Sequence, residues 1–481
     1  MNLHLFSTVV LVAHWLIIVG LSVRVIMKRP SVGVSLAWLA VIFSVPFVGA
    51  GVYLLFGERR LGRGRFARIS ATMGVVEEWQ AGLRKRYDDS LHVDSDAEPI
   101  HRQAEHVLGF PALPGNTIEL LDDFNAVFDA IVADIDSARS SCHVCFYIWH
   151  EGGRTADVVE ALVRAAQRGV TCRALADAIG SAAFLKSDLA RRLRHAGVTL
   201  VAAMPTGPIR TLFVRRDLRN HRKIVVIDDR VAYTGSQNLV DPRFFKQKSG
   251  VGQWVDAIAR ITGPAAAVMD GVFALDWAVE TGHACELPPV VENGSPAPNG
   301  SIVQVVPSGP GLRPEAIHQL LLTAIYAARR ELVMTTPYFI PDDSMLTALL
   351  SAALRGIEVT LLVPARNDSL LVRYASVAHF DDLMSAGVKI ALFKGGLLHT
   401  KSLTIDGATS VFGSVNLDMR SLWLNFEISL FVYDSAFTGQ LKALQNTYLE
   451  NSDRLDLAVW RRRSAGRRFT ENAFRLLGPL L

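Results

Sequence analysis

Apolar and polar positions divide this chain into an apolar N-terminal segment followed by two repeating halves. Residues 5–23 are 19 positions without Asp, Glu, Lys or Arg, and residues 32–56 are 25 more. Each stretch is about as long as the roughly 20 residues that a membrane-spanning helix needs. Because only residues 24–31 connect them, the pattern predicts a two-helix transmembrane hairpin over residues 1–57.

A cleaved signal peptide is the alternative for the first apolar stretch. It is disfavoured because no basic residue precedes the stretch, no small-x-small site ends it, and a second apolar stretch follows at once. Basic residues are more numerous after the hairpin than in its loop, which favours a cytoplasmic location for the rest of the chain. They are Arg59, Arg60, Arg63, Arg65 and Arg68 after the hairpin, against Arg24, Lys28 and Arg29 in the loop.

Beyond residue 57 the apolar residues follow helix and strand periods, and the same order of predicted elements occurs twice. The run Cys142-His-Val-Cys-Phe-Tyr-Ile-Trp149 predicts a strand, residues 155–167 a helix, and residues 170–175 the next strand. The same order returns later as strand 331–340, a helix that ends at Arg355, and strand 357–363. Alternating strands and helices predict an α/β fold made of two pseudo-symmetric sandwich halves.

Turn-forming residues and polar composition give the expected domain boundaries. Pro and Gly are concentrated in residues 285–301, which we take as the boundary between the halves. The expected domains are the hairpin 1–57, a connector 58–117, a first half 118–290, a second half 291–455 and a C-terminal tail 456–481.

Composition adds little to this organisation except at the C-terminus. The net charge of +4 is weak support for a nucleic-acid partner, and the mean hydropathy of +0.25 reflects the two apolar stretches. In the tail, basic and bulky apolar residues are interleaved, which suits an anionic membrane surface; a terminal helix with a solvated basic face is the alternative. These residues are Arg461, Arg462, Arg463, Arg467, Arg468 and Arg475 with Trp460, Phe469, Phe474, Leu476 and Leu477.

The cysteines do not have the spacing of a metal site. Cys142 and Cys145 lie in a predicted strand, where alternation points them to opposite faces, and Cys172 and Cys285 stand alone. Buried thiols are the better interpretation than a zinc or redox site.

The candidate chemistry lies in an octad that occurs twice. His221-Arg-Lys-Ile-Val-Val-Ile-Asp228 recurs 178 positions later as His399-Thr-Lys-Ser-Leu-Thr-Ile-Asp406, so each copy is H-x-K-x-x-x-x-D. Six residues separate each Asp from a Gly-Ser-x-Asn signature, with Ser236 and Asn238 in the first copy and Ser414 and Asn416 in the second.

Strand geometry places the histidine and the lysine of each motif on the same face. His221 and Lys223, two positions apart, project from one face of a strand, as do His399 and Lys401. Facing halves would supply two imidazoles, two ammonium groups and two amides, a set that suits phosphodiester transfer by nucleophile and general acid. Asp228 and Asp406 fall on the opposite parity, and we expect them to orient the motif locally.

The chain resembles the phospholipase D superfamily and, within it, the bacterial cardiolipin synthases. The strings that carry the likeness are Arg219-Asn-His-Arg-Lys-Ile-Val-Val-Ile-Asp228, Tyr233-Thr-Gly-Ser-Gln-Asn-Leu-Val-Asp-Pro-Arg-Phe-Phe-Lys246, Leu397-Leu-His-Thr-Lys-Ser402 and Val415-Asn-Leu-Asp-Met-Arg-Ser-Leu-Trp-Leu-Asn-Phe-Glu427. The resemblance implies metal-free transfer through a phosphohistidine, without a cofactor. It also implies an acid for each His downstream of its motif: Glu427 in the second half and Asp256 in the first.

The resemblance further implies transfer of a phosphatidyl group from one phosphatidylglycerol to another, giving cardiolipin and glycerol at a bacterial inner membrane. Water or another alcohol as acceptor is the alternative, because the motifs do not distinguish acceptors. A nuclease is disfavoured because no continuous aromatic and basic track for single strands is evident. A non-catalytic membrane organiser is disfavoured because both motifs are intact.

One insertion distinguishes the halves. The glycine of an Ala-Gly-Val triplet precedes the motif histidine by 24 residues in the first half and by 12 in the second. The extra residues, near 206–218, form either a surface insertion or a lid.

Overall fold

The structure is a computed structural model that describes residues 3–29, 32–58, 61–87, 93, 95–207, 215, 217–290, 300–311, 313–476 and 478. The chain forms two compact units. An N-terminal unit comprises Met1–Arg63 with Thr206–Asp217, and a main unit comprises Gly64–Pro205 with Leu218–Leu481. Most of the insertion near residues 206–218 lies outside the described residues, so neither interpretation of it is tested.

The N-terminal unit contains three apolar helices: α1 (Leu3–Lys28), α2 (Val32–Ser44) and α3 (Pro46–Phe56). At Pro46 the chain turns back, because proline has no N–H to donate and disfavours a helical conformation at Val45. The Trp38 ring consequently lies 5.3 Å from the Tyr53 ring, so α3 runs back along α2.

This turn changes the predicted membrane hairpin. Ser7–Lys28, 22 residues long, is the one described helix that is long and apolar enough to cross a membrane. The second apolar stretch forms helices of 13 and 11 residues, about 20 and 16 Å long, against a hydrocarbon core of about 30 Å. The two-helix transmembrane hairpin is therefore not confirmed.

The first half of the main unit follows two helices that the expected connector did not include. The helices are α4 (Arg63–Tyr87), α5 (Glu98–Leu108), α6 (Phe124–Ser137), α7 (Thr155–Gln167), α8 (Asp188–His195) and α9 (Pro264–Thr281). The strands are β1 (Leu113–Leu121), β2 (Ser141–Phe146), β3 (Thr171–Asp177), β4 (Thr199–Ala203), β5 (Lys223–Ile227), β6 (Val231–Gly235), β7 (Trp254–Val255) and β8 (Ile258–Thr262).

The second half repeats this order. Its helices are α10 (Ala316–Ala327), α11 (Asp343–Leu354), α12 (Leu370–Val377), α13 (Phe380–Ser385), α14 (Met419–Trp423) and α15 (Ser435–Glu450), and α16 (Leu457–Arg461) and α17 (Ala465–Arg475) form the tail. Its strands are β9 (Ser301–Ser308), β10 (Glu331–Thr335), β11 (Phe339–Ile340), β12 (Glu358–Pro364), β13 (Lys389–Phe393), β14 (Leu397–Leu398), β15 (Ser402–Ile405), β16 (Thr409–Gly413), β17 (Leu417–Asp418), β18 (Glu427–Val432) and β19 (Ser452–Arg454).

Among the described residues, fifteen strands form one sheet. Their order is β19-β13-β12-β10-β15-β16-β18-β9-β1-β8-β6-β5-β2-β3-β4. Outward from the antiparallel β1–β9 pair, the strands match one for one: β8 with β18, β6 with β16, β5 with β15, β2 with β10, β3 with β12 and β4 with β13. The predicted pair of α/β halves is confirmed, and the halves share a continuous sheet.

Helices cover both faces of this sheet. On one face α9 and α15 pack into a core common to both halves, which includes Phe273, Trp277, Phe437 and Tyr448. On the other face each half has its own core, with α6–α8 on the first half and α10, α11 and α13 on the second. Cys142 and Cys145 are buried in cores on opposite faces, as the strand alternation predicts.

Candidate active site

Each motif begins where its half meets the other half. The N–H of His221 donates to the carbonyl of Phe426 (2.8 Å), and the N–H of His399 donates to that of Val255 (2.8 Å). The short strand β14, immediately before His399, pairs with β7 of the first half. Backbone pairing between the halves therefore fixes the position of both histidines.

The same pairing brings the acid of each half to the histidine of the other half. Nδ1 of His221 lies 2.8 Å from Oε2 of Glu427, and Nδ1 of His399 lies 2.6 Å from Oδ1 of Asp256. The expectation that each acid would serve the histidine of its own half is wrong. Each histidine is oriented by the opposite half, because Glu427 and Asp256 follow directly the residues that pair with the other motif.

The acids define the histidine tautomers. A carboxylate that accepts from Nδ1–H leaves the lone pair of Nε2 free to act on a substrate. Burial lowers the pKa of His221 to about 4, against the opposing effect of Glu427, and lowers that of His399 to about 4 against Asp256. Without substrate both imidazoles are therefore neutral at pH 7.

The two motif lysines are buried beside the histidines and act on the charge of both halves. Nζ of Lys223 donates to the carbonyl of His221 (2.7 Å), and Nζ of Lys401 donates to that of His399. Burial lowers the pKa of Lys223 to about 8, and that of Lys401 falls well below its ordinary value. Each lysine also lowers the pKa of the opposite histidine. Two ammonium groups beside two neutral imidazoles provide the charged hydrogen-bond donors that bind a phosphodiester anion.

The serines of the Gly-Ser-x-Asn signatures support the acids. Oγ of Ser414 donates to Oε2 of Glu427 (2.5 Å), and hydrogen bonding from Ser236 helps to lower the pKa of Asp256. Burial alone would raise the pKa of Asp256, but His399, Lys401 and Ser236 keep it below its ordinary value. These contacts place both serines behind the histidines as supports of the carboxylates.

The two asparagines differ in their contacts. Oδ1 of Asn238 accepts from the N–H of Ile148 (3.1 Å), which fixes the orientation of the amide. Nδ2 of Asn416 donates to Asp418 (3.1 Å), while its buried Oδ1 has no hydrogen-bond partner among the described residues. Both amides lie in the buried cluster, as the repeated signature predicts.

The aspartates that end the octads do not join this cluster. Asp228 accepts from the N–H groups of Arg139, Ser140 and Ser141, and Asp406 accepts from those of Arg329, Arg330 and Glu331. Both lie at the far ends of β5 and β15, where they hold the turn that leads into β2 or β10. These contacts agree with the local role expected from strand parity and place neither aspartate beside a histidine, so they give no support to the inclusion of Asp228 and Asp406 among the catalytic residues, which stays a prediction.

Aromatic side chains that the motifs do not contain border the histidines. The Tyr147 ring lies 4.9 Å from that of His221, and the Trp254 ring lies 4.2 Å from that of His399. Tyr338, close to Tyr147, donates to Asp368 (3.0 Å), which forms an ion pair with Lys246 (3.0 Å). Their aromatic character alone did not distinguish Tyr147 and Trp254 from core residues, so sequence reasoning gave them no role at the site.

The two halves differ at the residue between the histidine and the lysine of each motif. Arg222 forms an ion pair with Asp276 and donates to the carbonyl of Glu427 (2.9 Å), whereas its counterpart Thr400 contacts the hydroxyl of Tyr448 (3.0 Å). Arg222 also lines a cavity of about 430 Å³ beneath α4, which contains neither histidine. In the part of the chain that the structure describes, no group of three or more His, Cys, Asp or Glu side chains could hold a metal ion.

Comparisons with known proteins agree over the whole chain. A family model described as "Cardiolipin synthase, PLD-like domain" matches residues 131–260 and 321–447, the two halves, and one described as "Phospholipase_D-nuclease N-terminal" matches residues 16–58. Cardiolipin synthase A of Yersinia pseudotuberculosis serotype O:3 (strain YPIII) is 46% identical over 471 residues, 97% of each chain. Cardiolipin synthase A of Citrobacter koseri is 45% identical over 478 residues, 99% of this chain and 98% of the relative.

A solved structure supports the fold independently. The phosphatidylserine synthase of Haemophilus influenzae superimposes with a TM-score of 0.61 at 16% identity, covering 80% of this chain and 100% of the other. At this identity the likeness shows the fold of the two halves and nothing about the substrate.

Proposed function

The chain belongs to the cardiolipin synthase family of the phospholipase D superfamily, and on this premise we propose that its two histidines transfer a phosphatidyl group between two phosphatidylglycerol molecules. The products are cardiolipin and free glycerol. The observation that carries the proposal is the crosswise pairing of His221 with Glu427 and of His399 with Asp256, which presents two free Nε2 atoms to one buried, basic site.

The first step forms a covalent intermediate. Nε2 of His221 attacks the phosphorus of the donor, the bond to the headgroup glycerol breaks, and His399 as imidazolium donates its proton to the departing alkoxide. Binding of the anionic phosphodiester raises the pKa of the His399 imidazole, which takes up a proton from solvent before the transfer begins. Lys223 and Lys401 stabilise the negative charge on the phosphoryl oxygens, with Asn238 and Asn416 beside them.

The second step releases the intermediate. His399, now neutral, removes the proton from a headgroup hydroxyl of the second phosphatidylglycerol, and that oxygen attacks phosphorus. The phosphorus–nitrogen bond breaks and His221 is restored. His399 thus returns to its protonated form, ready for the next donor.

The assay that tests this function follows both products. The purified full-length protein in phosphatidylglycerol vesicles is expected to yield cardiolipin and glycerol in equal amounts, measured by lipid mass spectrometry and a glycerol assay. Phosphatidic acid as the main product would replace this proposal with hydrolysis by water.

Chelation is expected to leave the reaction intact. Lys223 and Lys401 already provide two cations for the phosphoryl oxygens, so EDTA should change the rate of cardiolipin formation by less than about twofold. Vesicle size is monitored by light scattering as a control. Loss of activity that one divalent ion restores would contradict the metal-free scheme.

The N-terminal unit supports membrane association with one span. If α1 crosses the bacterial inner membrane while α2 and α3 fold back at Pro46, then Arg24 and Lys28 at the end of α1 lie on the cytoplasmic side. The ion pair between Arg24 and Glu58 is consistent with this arrangement. A tag before Leu3 is then expected to be accessible from the periplasm, and a tag after Leu481 from the cytoplasm. Both tags on the cytoplasmic side would support the two-span hairpin instead.

A further inference from the structure

Large apolar side chains that are exposed on the main unit concentrate around the active site. Among its described residues, eleven such side chains are exposed, and six of them lie on segments that border the aromatic edge formed by Tyr147, Trp254 and Tyr338. We call these six the rim surface: Ile179, Phe244, Leu370, Leu371, Phe469 and Leu476. Exposed apolar groups gathered in one place indicate an interaction site.

The first half contributes two of the six. Ile179 belongs to a loop in which Ser181 donates to the carbonyl of Tyr147 (2.9 Å), beside His221. Phe244, 58% exposed, precedes Phe245, whose ring lies 5.1 Å from that of Trp254, beside His399.

The second half contributes the other four. Leu370 and Leu371 begin α12, two residues after Asp368, which contacts both Tyr338 and Lys246. The C-terminal helix α17 packs on α12 through Phe474, stacked on Tyr374 at 5.2 Å. This packing leaves Phe469 and Leu476 exposed by 75% and 76%.

The rim surface is positively charged. Besides the loop of Ile179, its segments are residues 243–250, 369–377 and 465–476, and the single carboxylate of these three segments, Glu471, is buried against Arg463 and Arg467. Exposed cations remain, among them Lys248, Arg373, Arg468 and Arg475. Apolar side chains among cations match a bilayer with anionic headgroups, where apolar groups enter the interface and cations meet the phosphates.

We propose that the rim surface docks on a lipid bilayer with anionic headgroups and holds the active site against it. This inference rests on the proposed lipid transfer and specifies how the site reaches its substrate. The two interpretations of the tail are then both correct in part, because α17 packs on α12 and also extends the membrane-facing surface that α12 begins.

The test uses the full-length protein in two forms, in phosphatidylglycerol nanodiscs and in detergent with dispersed phosphatidylglycerol. The variant Phe244→Ser/Leu370→Ser/Leu371→Ser is expected to lose about 30-fold of its turnover in nanodiscs, because the docking contacts are lost, while its turnover in detergent stays within about twofold. The control Tyr326→Ser/Leu354→Ser removes exposed apolar groups where α10 and α11 end, beside the turn that Asp406 holds and thus at the strand ends away from the histidines, and should change neither rate.

Hydrogen exchange measures docking without relying on turnover. Amides of residues 369–377 and 465–476 are expected to exchange about tenfold more slowly in nanodiscs than in detergent, and this protection should disappear in the triple variant. If the parent makes cardiolipin and the triple variant matches it in nanodiscs, docking is overturned and the function stands. If the parent makes none while the protection is seen, the function fails and docking stands. A change from dimer to monomer in the triple variant, seen by light scattering, would assign the surface to a second copy instead.

Discussion

Replacing either His221 or His399 by alanine is expected to lower turnover by about four orders of magnitude, with the double variant costing little more than either single one. The reason is that nucleophile and proton donor act on the same phosphorus, so the loss of one leaves the other without a function. Turnover is measured as cardiolipin formed in phosphatidylglycerol vesicles, with thermal unfolding followed in parallel.

A buried histidine outside the site provides the matched control. Burial also lowers the pKa of His379 to about 4, but the charged groups that act on this histidine among the described residues are Arg475, Asp382 and Asp343, none of them catalytic, so His379→Gln should retain turnover within about threefold. A His399→Ala protein with a tenth of the parental turnover would exclude the two-histidine scheme.

Neutralising either acid is expected to lower turnover by roughly a thousandfold, because each carboxylate fixes the tautomer of one histidine. The variants are Glu427→Gln and Asp256→Asn, which keep the size of the side chain. Asp228→Asn is the control, since this residue lies at the far end of β5 and should change stability more than turnover.

The pH profiles of these two variants reveal which histidine each acid serves. Loss of an adjacent anion lowers an imidazole pKa further. His221 must be neutral to attack, so Glu427→Gln should move the acidic limb of kcat/KM to lower pH. His399 must be protonated in the substrate complex to act as the acid, so Asp256→Asn should move the alkaline limb of kcat, which reports that complex, to lower pH. The opposite assignment of limbs would contradict the scheme, because either His399 would then be the nucleophile or each acid would serve the histidine of its own half.

The sequence predicts those features of the fold that depend on local pattern. The helix over residues 155–167 has its predicted bounds, because its apolar period is regular and Gly169 ends it. The duplicated octads predict the two-histidine site, since residues two apart in extended chain project to one side. The local role of Asp228 and Asp406 follows from the same parity.

Features that depend on long-range pairing are not predictable in this way. Glu427 lies beside His221 because residue 220 pairs with Phe426, 206 positions later, and nothing in either segment alone indicates that contact. The helices α4 and α5 lie in a region of polar composition, and each buries only three residues: Trp79, Gln80 and Leu83 in α4, and Ile100, His101 and Ala104 in α5. Pro46 was visible in the sequence, but whether proline kinks a helix or reverses the chain depends on packing such as that of Trp38 on Tyr53.

The most direct test of the two-histidine account is the stereochemical course at phosphorus. Phosphatidylglycerol in which one non-bridging oxygen is replaced by sulfur is a donor of known configuration, and the configuration of the cardiolipin formed from it can be assigned by phosphorus NMR. Two successive in-line displacements through a phosphatidyl-histidine predict overall retention. Inversion would mean direct transfer from donor to acceptor and would contradict the covalent mechanism.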